Sequence, residues 1–136
     1  MSQVPQALPS TAQNVSRGGF NSHAGPVWRL PAEGELRRFS LIVEQKHLNG
    51  SGSVHGGLLM TFADIAMSQT ARTVTDDAPC NTVSMTCDFV GPARLGEILD
   101  ARVRVTKKTR SIIFMSADIV VGERPVAVAS GLWKIA

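Results

Sequence analysis

The residues best suited to chemistry lie in one apolar stretch, residues 54–71, which opens with His55-Gly56-Gly57 and contains Asp64. Apolar side chains cover nearly every direction of the helix that this stretch predicts, and a helix that is apolar all round is buried. A carboxylate in the middle of a buried helix is costly unless something there pairs with it or uses it. Asp64 is therefore a candidate catalytic group, with a structural acid as the alternative.

Helix geometry separates the two ends of this stretch. Asp64 follows His55 by nine positions, which places the two on roughly opposite sides of the helix. Gly57 shares a face with Asp64 but lies about 10 Å away along the axis. The two ends cannot readily meet at one substrate atom within one chain. Two copies packed side by side and antiparallel would bring them together, so we predict a twofold dimer with two equal composite sites.

The elements around this helix predict an α+β fold. The helix itself is expected from residue 56 to 72 or 73, after a Gly- and Ser-rich loop at 46–54. Short connections between the later strands predict a four-stranded antiparallel meander. One apolar helix and one sheet pack best when the sheet curls around the helix. The predicted strands are residues 26–30 and 36–44 before the helix, and 82–90, 98–106, 112–121 and 126–135 after it.

Length and composition favour one domain. The chain has 136 residues, which suits a single core. Residues 1–19 are rich in Ser, Gln, Pro and Gly and are expected to form a flexible or loosely docked arm, with residues 20–136 as the domain. Cys80 and Cys87 lie in no metal or redox spacing and are expected to be reduced structural thiols.

Charge and hydropathy exclude some classes of function. A net charge of +3 is too weak to predict nucleic-acid binding, although it suits a small anionic ligand. No apolar run reaches the roughly 20 residues that a membrane span requires. The N-terminus lacks the pattern of a signal peptide, so a cytoplasmic protein is expected.

Several short motifs together resemble the hotdog-fold acyl-CoA thioesterases, and most closely the phenylacetate-pathway, PaaI-like branch. The resemblance covers nearly the whole predicted domain. It implies a long helix wrapped by an antiparallel sheet, with sites at the interface of a homodimer or of a homotetramer built as a dimer of dimers. The motifs are His47-Leu48-Asn49, Val54-His55-Gly56-Gly57, Phe62-Ala63-Asp64 and, after the next strand, residues 92–96 (PARLG).

The resemblance also implies roles for single residues. Asp64 would be the general base or nucleophile at the thioester carbonyl. The backbone N–H of Gly57 in the partner subunit would be the oxyanion donor. His55 and Asn49 would shape that end of the site. Thr82 would donate a hydrogen bond near the acid, and its place on the polar face of its predicted strand, with Ser84, Thr86 and Asp88, mildly supports this role.

The substrate implied is an acyl-CoA, whose phosphates need cations. Lys107, Lys108 and Arg110 lie in a predicted turn and are candidates, although a solvated turn is the alternative reading. Gly56 would let the backbone approach the substrate closely. No cofactor is implied because a thioester is already reactive, and no metal-binding motif is present.

Two other functions stay open at this stage. A dehydratase or hydratase acting on acyl thioesters could use the same fold, although the His–acid motifs of those enzymes are not found. A non-catalytic acyl-CoA binding protein could use the same groove with Asp64 in a structural role. His23 and His47 are expected to be ordinary polar loop residues, and the identity of the acyl group is not predicted.

Overall fold

The computed structural model describes residues 3–136, so the first two residues of the predicted arm lie outside it. The predicted long helix and all six predicted strands are confirmed, with ends shifted by a few residues. Three short elements were not predicted: a two-residue strand (Gln13–Asn14), a six-residue helix (Gly19–Ala24) and a 3-10 turn (Gln45–His47). The elements are β1 (Gln13–Asn14), α1 (Gly19–Ala24), β2 (Trp28–Glu33), β3 (Leu36–Ile42), a 3-10 turn (Gln45–His47), α2 (Gly56–Thr73), β4 (Cys80–Phe89), β5 (Ile98–Lys108), β6 (Ile112–Val121) and β7 (Arg124–Ile135).

The long helix α2 is buried on most sides but not on all of them. Phe62, Ala63 and Met67 are completely buried against the sheet. A narrow stripe that includes Gly57 and Asp64 stays accessible in the single chain. The expectation of a helix buried all round is therefore wrong for one copy of the chain, and the candidate acid lies on the accessible stripe.

The seven strands form one antiparallel sheet in the order β1-β2-β3-β5-β6-β7-β4. The predicted four-stranded meander is wrong, because β4 pairs with β7 at the far edge and only β5, β6 and β7 follow one another. Residues 90–97 carry the chain from that edge to β5, beside β3. This crossing is anchored under the start of α2, where the Val54 N–H donates to the Ala93 carbonyl at 2.8 Å.

Two apolar clusters hold the fold together. The main core lies between α2 and the inner face of the sheet and includes Phe39, Leu41 and Trp133. A smaller cluster joins Leu8 of the N-terminal segment to Trp28 on the opposite face of the sheet. The described part of the predicted arm is thus docked in this conformation, while its flexibility stays a prediction. None of the helices between residues 3 and 136 combines the length and apolar character that a bilayer span requires.

Candidate active site

The candidate acid and the candidate hydroxyl are in direct contact. The Thr82 hydroxyl on β4 donates a hydrogen bond to Asp64 Oδ1 on α2 at 2.6 Å. That length is typical of an O–H bonded to a carboxylate oxygen. Asp64 is half-buried and Thr82 is exposed in the single chain, so the pair lies at the surface that the helix stripe leaves open.

A β-bulge turns Thr82 toward the helix. Thr82 pairs with Trp133, but the next pair is Ser84 with Leu132, which leaves Val83 as an extra residue on β4. Trp133 faces α2, because its Nε1 donates to Ser68 Oγ at 3.0 Å. Thr82 therefore shares the inner face with Trp133. Its predicted place on the outer, polar face is wrong, because the strict alternation of side chains stops at a bulge.

The start of α2 is capped by His55. Its Nδ1 accepts a hydrogen bond from the Gly57 N–H at 2.8 Å, and its carbonyl accepts from the Leu58 and Leu59 N–H groups at 2.9 and 3.2 Å. Because Nδ1 is the acceptor, the neutral ring carries its proton on Nε2. The candidate oxyanion donor is thus occupied by a side chain of its own protomer in this structure, and a substrate carbonyl would have to replace that imidazole.

Asn49 organises the loop before α2. Its Oδ1 accepts from the Ser51 N–H and hydroxyl at 2.9 Å each, and from the Ser53 N–H at 3.2 Å. Its Nδ2 donates to Ser53 Oγ at 3.2 Å. These bonds fold residues 49–53 tightly and set the direction in which the chain enters the helix.

His47 is not the ordinary loop residue that the sequence led us to expect. Its side chain is buried, with Nδ1 accepting from the Glu44 N–H at 2.9 Å and Nε2 donating to the Ala24 carbonyl at 2.7 Å. Its own carbonyl accepts from the His55 N–H at 2.9 Å. His47 thus joins the end of α1 to the start of α2. Burial lowers the pKa of this imidazole below its usual value, which keeps it neutral at pH 7. His23, by contrast, is exposed, but it lies in α1 rather than in the predicted loop.

A cavity of about 680 Å³ opens beside the capped helix start. Its walls come from α1, from the segment around the 3-10 turn and from the first turns of α2. Gly57 and Thr61 line it on the helix side, while Phe20 and Leu48 contribute apolar surface. A ligand group in this cavity would therefore contact the residue that carries the candidate oxyanion donor.

The predicted basic turn lies at the end of the sheet nearest Thr82. Lys107 and Lys108 are the last residues of β5 rather than turn residues, and with Arg110 they are exposed. Lys108 pairs with Ile113, Ile113 with Trp133, and Trp133 with Thr82. Three strand spacings separate Lys108 from Thr82, or about 14 Å.

Other reactive groups do not add to this site. Both cysteines are free thiols, and burial raises the pKa of the Cys87 thiol, which disfavours the nucleophilic thiolate. Among residues 3–136, no three His, Cys, Asp or Glu side chains are grouped closely enough to hold a metal ion. Asp64 with Thr82 is thus the acid–hydroxyl pair that the fold brings to the open stripe of α2.

Comparison with known proteins agrees with this architecture. The sequence pattern of the family described as Thioesterase superfamily matches residues 51–128, a range that holds His55, Gly57, Asp64 and Thr82. The chain belongs to the thioesterase superfamily. The resemblance seen in the sequence motifs is confirmed at this level, and so is the hotdog fold. Asn49 lies just before the matched range.

Individual members of the superfamily are similar over most of the chain. A Pseudomonas aeruginosa protein whose name describes it as an esterase is 39% identical over 71% of this chain and 72% of its own. Human acyl-coenzyme A thioesterase 13 is 30% identical over 88% of this chain and 86% of its own. The solved PaaI protein of Escherichia coli, from the phenylacetic acid degradation operon, superposes with a TM-score of 0.76 at 22% identity, covering 85% of this chain and 83% of that one.

Proposed function

We propose that this protein hydrolyses acyl-coenzyme A thioesters to the free acid and coenzyme A. The observation that carries the proposal is the 2.6 Å hydrogen bond from Thr82 to Asp64, on the accessible stripe of the central helix. The setting in a thioesterase superfamily chain supports a thioester as the substrate. The name of the human relative supports coenzyme A as its thiol part.

In the proposed reaction, Asp64 attacks the thioester carbonyl or removes a proton from the water that does so. Thr82 holds Oδ1 of the carboxylate, which leaves Oδ2 for this step. If water attacks, its oxygen bonds to the carbonyl carbon, its proton passes to Asp64, the carbon–sulfur bond breaks, and Asp64 returns that proton to the departing sulfur. If Asp64 attacks, an anhydride between Asp64 and the acyl group forms as the carbon–sulfur bond breaks; water then hydrolyses the anhydride, which frees the acid and Asp64 and supplies the proton that the sulfur takes up. The Gly57 N–H at the positive end of α2 stabilises the charge that develops on the carbonyl oxygen.

We propose that the Gly57 N–H and Asp64 of one site come from two copies of the chain. Within one helix they are separated by about 10 Å along the axis. Between residues 3 and 136 no strand lies beyond the outer edge of β4, and that edge exposes Val83 and, near its end, Phe89 and Val90. β4 has ten residues, and a long exposed edge strand favours pairing with another chain. Pairing of β4 with its own copy about a twofold axis would lay the two α2 helices side by side, as the composite site requires.

A cationic group and a cavity near the candidate site are suited to the other parts of an acyl-CoA. Lys107, Lys108 and Arg110 form an exposed cationic group about 14 Å from Thr82, a distance suited to phosphates at the far end of an extended pantetheine arm. The cavity that Gly57 and Phe20 line would take the acyl group.

The direct test measures thiol release from short-chain, medium-chain and aromatic acyl-CoAs, with wild type and Asp64→Asn compared at equal concentrations. Asn keeps the shape of the side chain and removes the base. We expect wild type to hydrolyse at least one member and the variant to lose at least about a hundredfold in kcat/KM, as is typical when an acid–base group is removed. A variant as active as wild type would show that another group is the base.

A mixing experiment tests the composite site. Gly57→Pro removes the proposed oxyanion N–H in the first helical turn, where proline fits the backbone. It also removes the bond to His55 Nδ1 and brings the added Cβ within 2.9 Å of that atom, so urea unfolding is measured alongside to check that the variant is folded. Asp64→Asn and Gly57→Pro are each expected to be nearly inactive. Co-expressed, they would form mixed dimers with one intact site each, which predicts recovery of about a quarter of wild-type activity. A site built within one chain predicts no recovery.

The main alternative is a non-catalytic acyl-CoA binding protein, which the open groove would also serve. This alternative predicts that wild type releases no thiol from any acyl-CoA. It also predicts that Asp64→Asn binds the same ligands as tightly as wild type or more tightly. Calorimetric titration with a non-hydrolysable acyl-CoA analogue separates the two functions.

A further inference from the structure

The largest cavity among those described, about 930 Å³, lies away from the Asp64–Thr82 pair. It opens between the N-terminal segment with β1 and β2 on one side and the C-terminal half of α2 on the other. Most of its lining residues precede the range that the family pattern matches. We call it the arginine pocket, after the polar residues that dominate its walls: Arg17, Arg29, Arg72, Gln13, Asn21 and Gln69.

The charged residues that line this pocket are all positive. Its described lining includes three arginines and no acidic residue. The Arg29 guanidinium donates only to a neutral partner, Gln13 Oε1. Arg72 pairs at 2.6 Å with Asp77, whose side chain is 75% exposed and lies outside the lining. Guanidinium groups that surround one cavity repel each other, and an anion between them would relieve that repulsion.

The geometry of the donors favours phosphate. A guanidinium is a planar fork that bonds phosphate oxygens in pairs, and the side-chain amides of Gln13, Asn21 and Gln69 can add neutral donors. Arg17 and Arg29 have no acidic partner among residues 3–136, whereas the charge of Arg72 is shared with Asp77, so the pocket suits a ligand with about two negative charges. We propose that the arginine pocket binds a phosphate-bearing small molecule.

The same chemistry has two possible sources. Arg72 follows Asp64 by eight positions, or about 12 Å along α2, so the pocket lies outside the reach of the acid but within that of an extended cofactor-sized substrate. The ligand is either a separate phosphorylated metabolite or the nucleotide end of a bound coenzyme A, which would then lie here instead of at Lys107, Lys108 and Arg110. The experiment below distinguishes them.

Binding is measured on the free full-length protein, by calorimetry and by the fluorescence of Trp28, which also lines the pocket. The probes are inorganic pyrophosphate and ADP. We expect saturable binding that weakens as salt is raised. The exposed residue Arg17, substituted as Arg17→Gln, is expected to weaken binding about tenfold, and the double variant with Arg29→Gln about a hundredfold.

The matched control is Arg104→Gln with Lys134→Gln, which removes two exposed cations from the outer face of the sheet. It should bind both probes like wild type. Absence of binding at millimolar probe, unchanged affinity in the folded Arg17→Gln variant, or equal weakening in the control would each overturn the proposal. Because no step requires hydrolysis, these outcomes are separate from failure of the thioesterase proposal.

The coenzyme A affinity of the double variant identifies the source. If the arginine pocket, rather than the Lys107, Lys108 and Arg110 group, holds the nucleotide of coenzyme A, the double variant will weaken coenzyme A binding and raise the KM for acyl-CoA while kcat stays within about twofold. If the ligand is a separate metabolite, the double variant will bind coenzyme A with wild-type affinity. Either result supports a phosphate-binding pocket.

Discussion

Removing the Thr82 hydroxyl is the most informative single change at the site. Thr82→Val keeps the branched shape of the side chain and deletes the donor that holds Asp64 Oδ1 at 2.6 Å. A hydrogen bond to a charged group contributes about 1.5–3 kcal/mol. If the proposed reaction uses the held carboxylate in its transition state, kcat/KM will fall by about tenfold to 150-fold, since 1.36 kcal/mol corresponds to tenfold.

The size of the loss in kcat/KM within that range indicates how far the Thr82–Asp64 hydrogen bond is shielded from water. Thr82 is exposed in the single chain, where water competes for the carboxylate, so the lower end, about tenfold, would apply. Burial of the pair against a second copy would remove that competition and move the effect toward the upper end. A loss near a hundredfold would therefore also support a site that closes on dimerisation.

The assay is thiol release under kcat/KM conditions, with two matched variants. Thr82→Ser keeps the hydroxyl and should retain most of the activity. Thr86→Val changes the same strand on its outer face, where the hydroxyl contacts Ser130 Oγ at 3.3 Å, and should behave like wild type. The reasoning is refuted if Thr82→Val is as active as wild type, or if Thr86→Val loses as much.

Two further changes test the scaffold. The added Cβ of Gly131→Ala would overlap the Ser84 carbonyl and come within 3.0 Å of Met85 Cα, so we expect the free energy of unfolding in urea to fall by about 2–3 kcal/mol. The control is Gly50→Ala, whose added Cβ has nothing within 4 Å and should change that free energy by less than about 0.5 kcal/mol. Equal urea midpoints for the two variants would contradict this prediction. Burial lowers the pKa of His47 in the folded protein below its usual value of 6.5, so the unfolded chain binds a proton at a higher pH than the folded one. The stability that this difference contributes is fully present above pH 6.5 and is lost as the pH falls from that value toward the pKa of the folded state. His47→Gln should flatten the urea midpoint between about pH 5 and 7, and an unchanged slope would exclude His47 as the source.

Much of the fold follows from local patterns. The apolar run and its Gly-Gly start predict α2, and the alternation in residues 98–106 and 112–121 predicts β5 and β6. The position of β4 does not follow from such patterns. Strand order depends on which edges pair across the whole sheet: β4 pairs with β7 at one edge, whereas β5, the next strand in the chain, pairs with β3 and lies three strands away.

The candidate site, like the fold, follows from local patterns only in part. The conflict between burial and charge singles out Asp64 from the sequence alone. The face of the strand on which Thr82 lies could not be predicted, because the residue types do not reveal that Val83 is an extra residue in a bulge. For His47 a signal was available: it lies three positions after Glu44, the spacing at which a side chain can bond back to the N–H at the start of a helical turn.

The start of α2 shows how one backbone amide can serve folding and the proposed chemistry in turn. The Gly57 N–H has no partner inside the helix, so the free chain satisfies it with His55 Nδ1 at 2.8 Å. Such a cap is worth about 1 kcal/mol. A bond from the same N–H to an oxyanion is charge-assisted and about twice as strong as a neutral one. In the proposed reaction the substrate oxygen therefore displaces the His55 imidazole most readily as negative charge develops on that oxygen. The helix then loses its His55 cap only when the oxyanion of the transition state replaces it as a stronger acceptor.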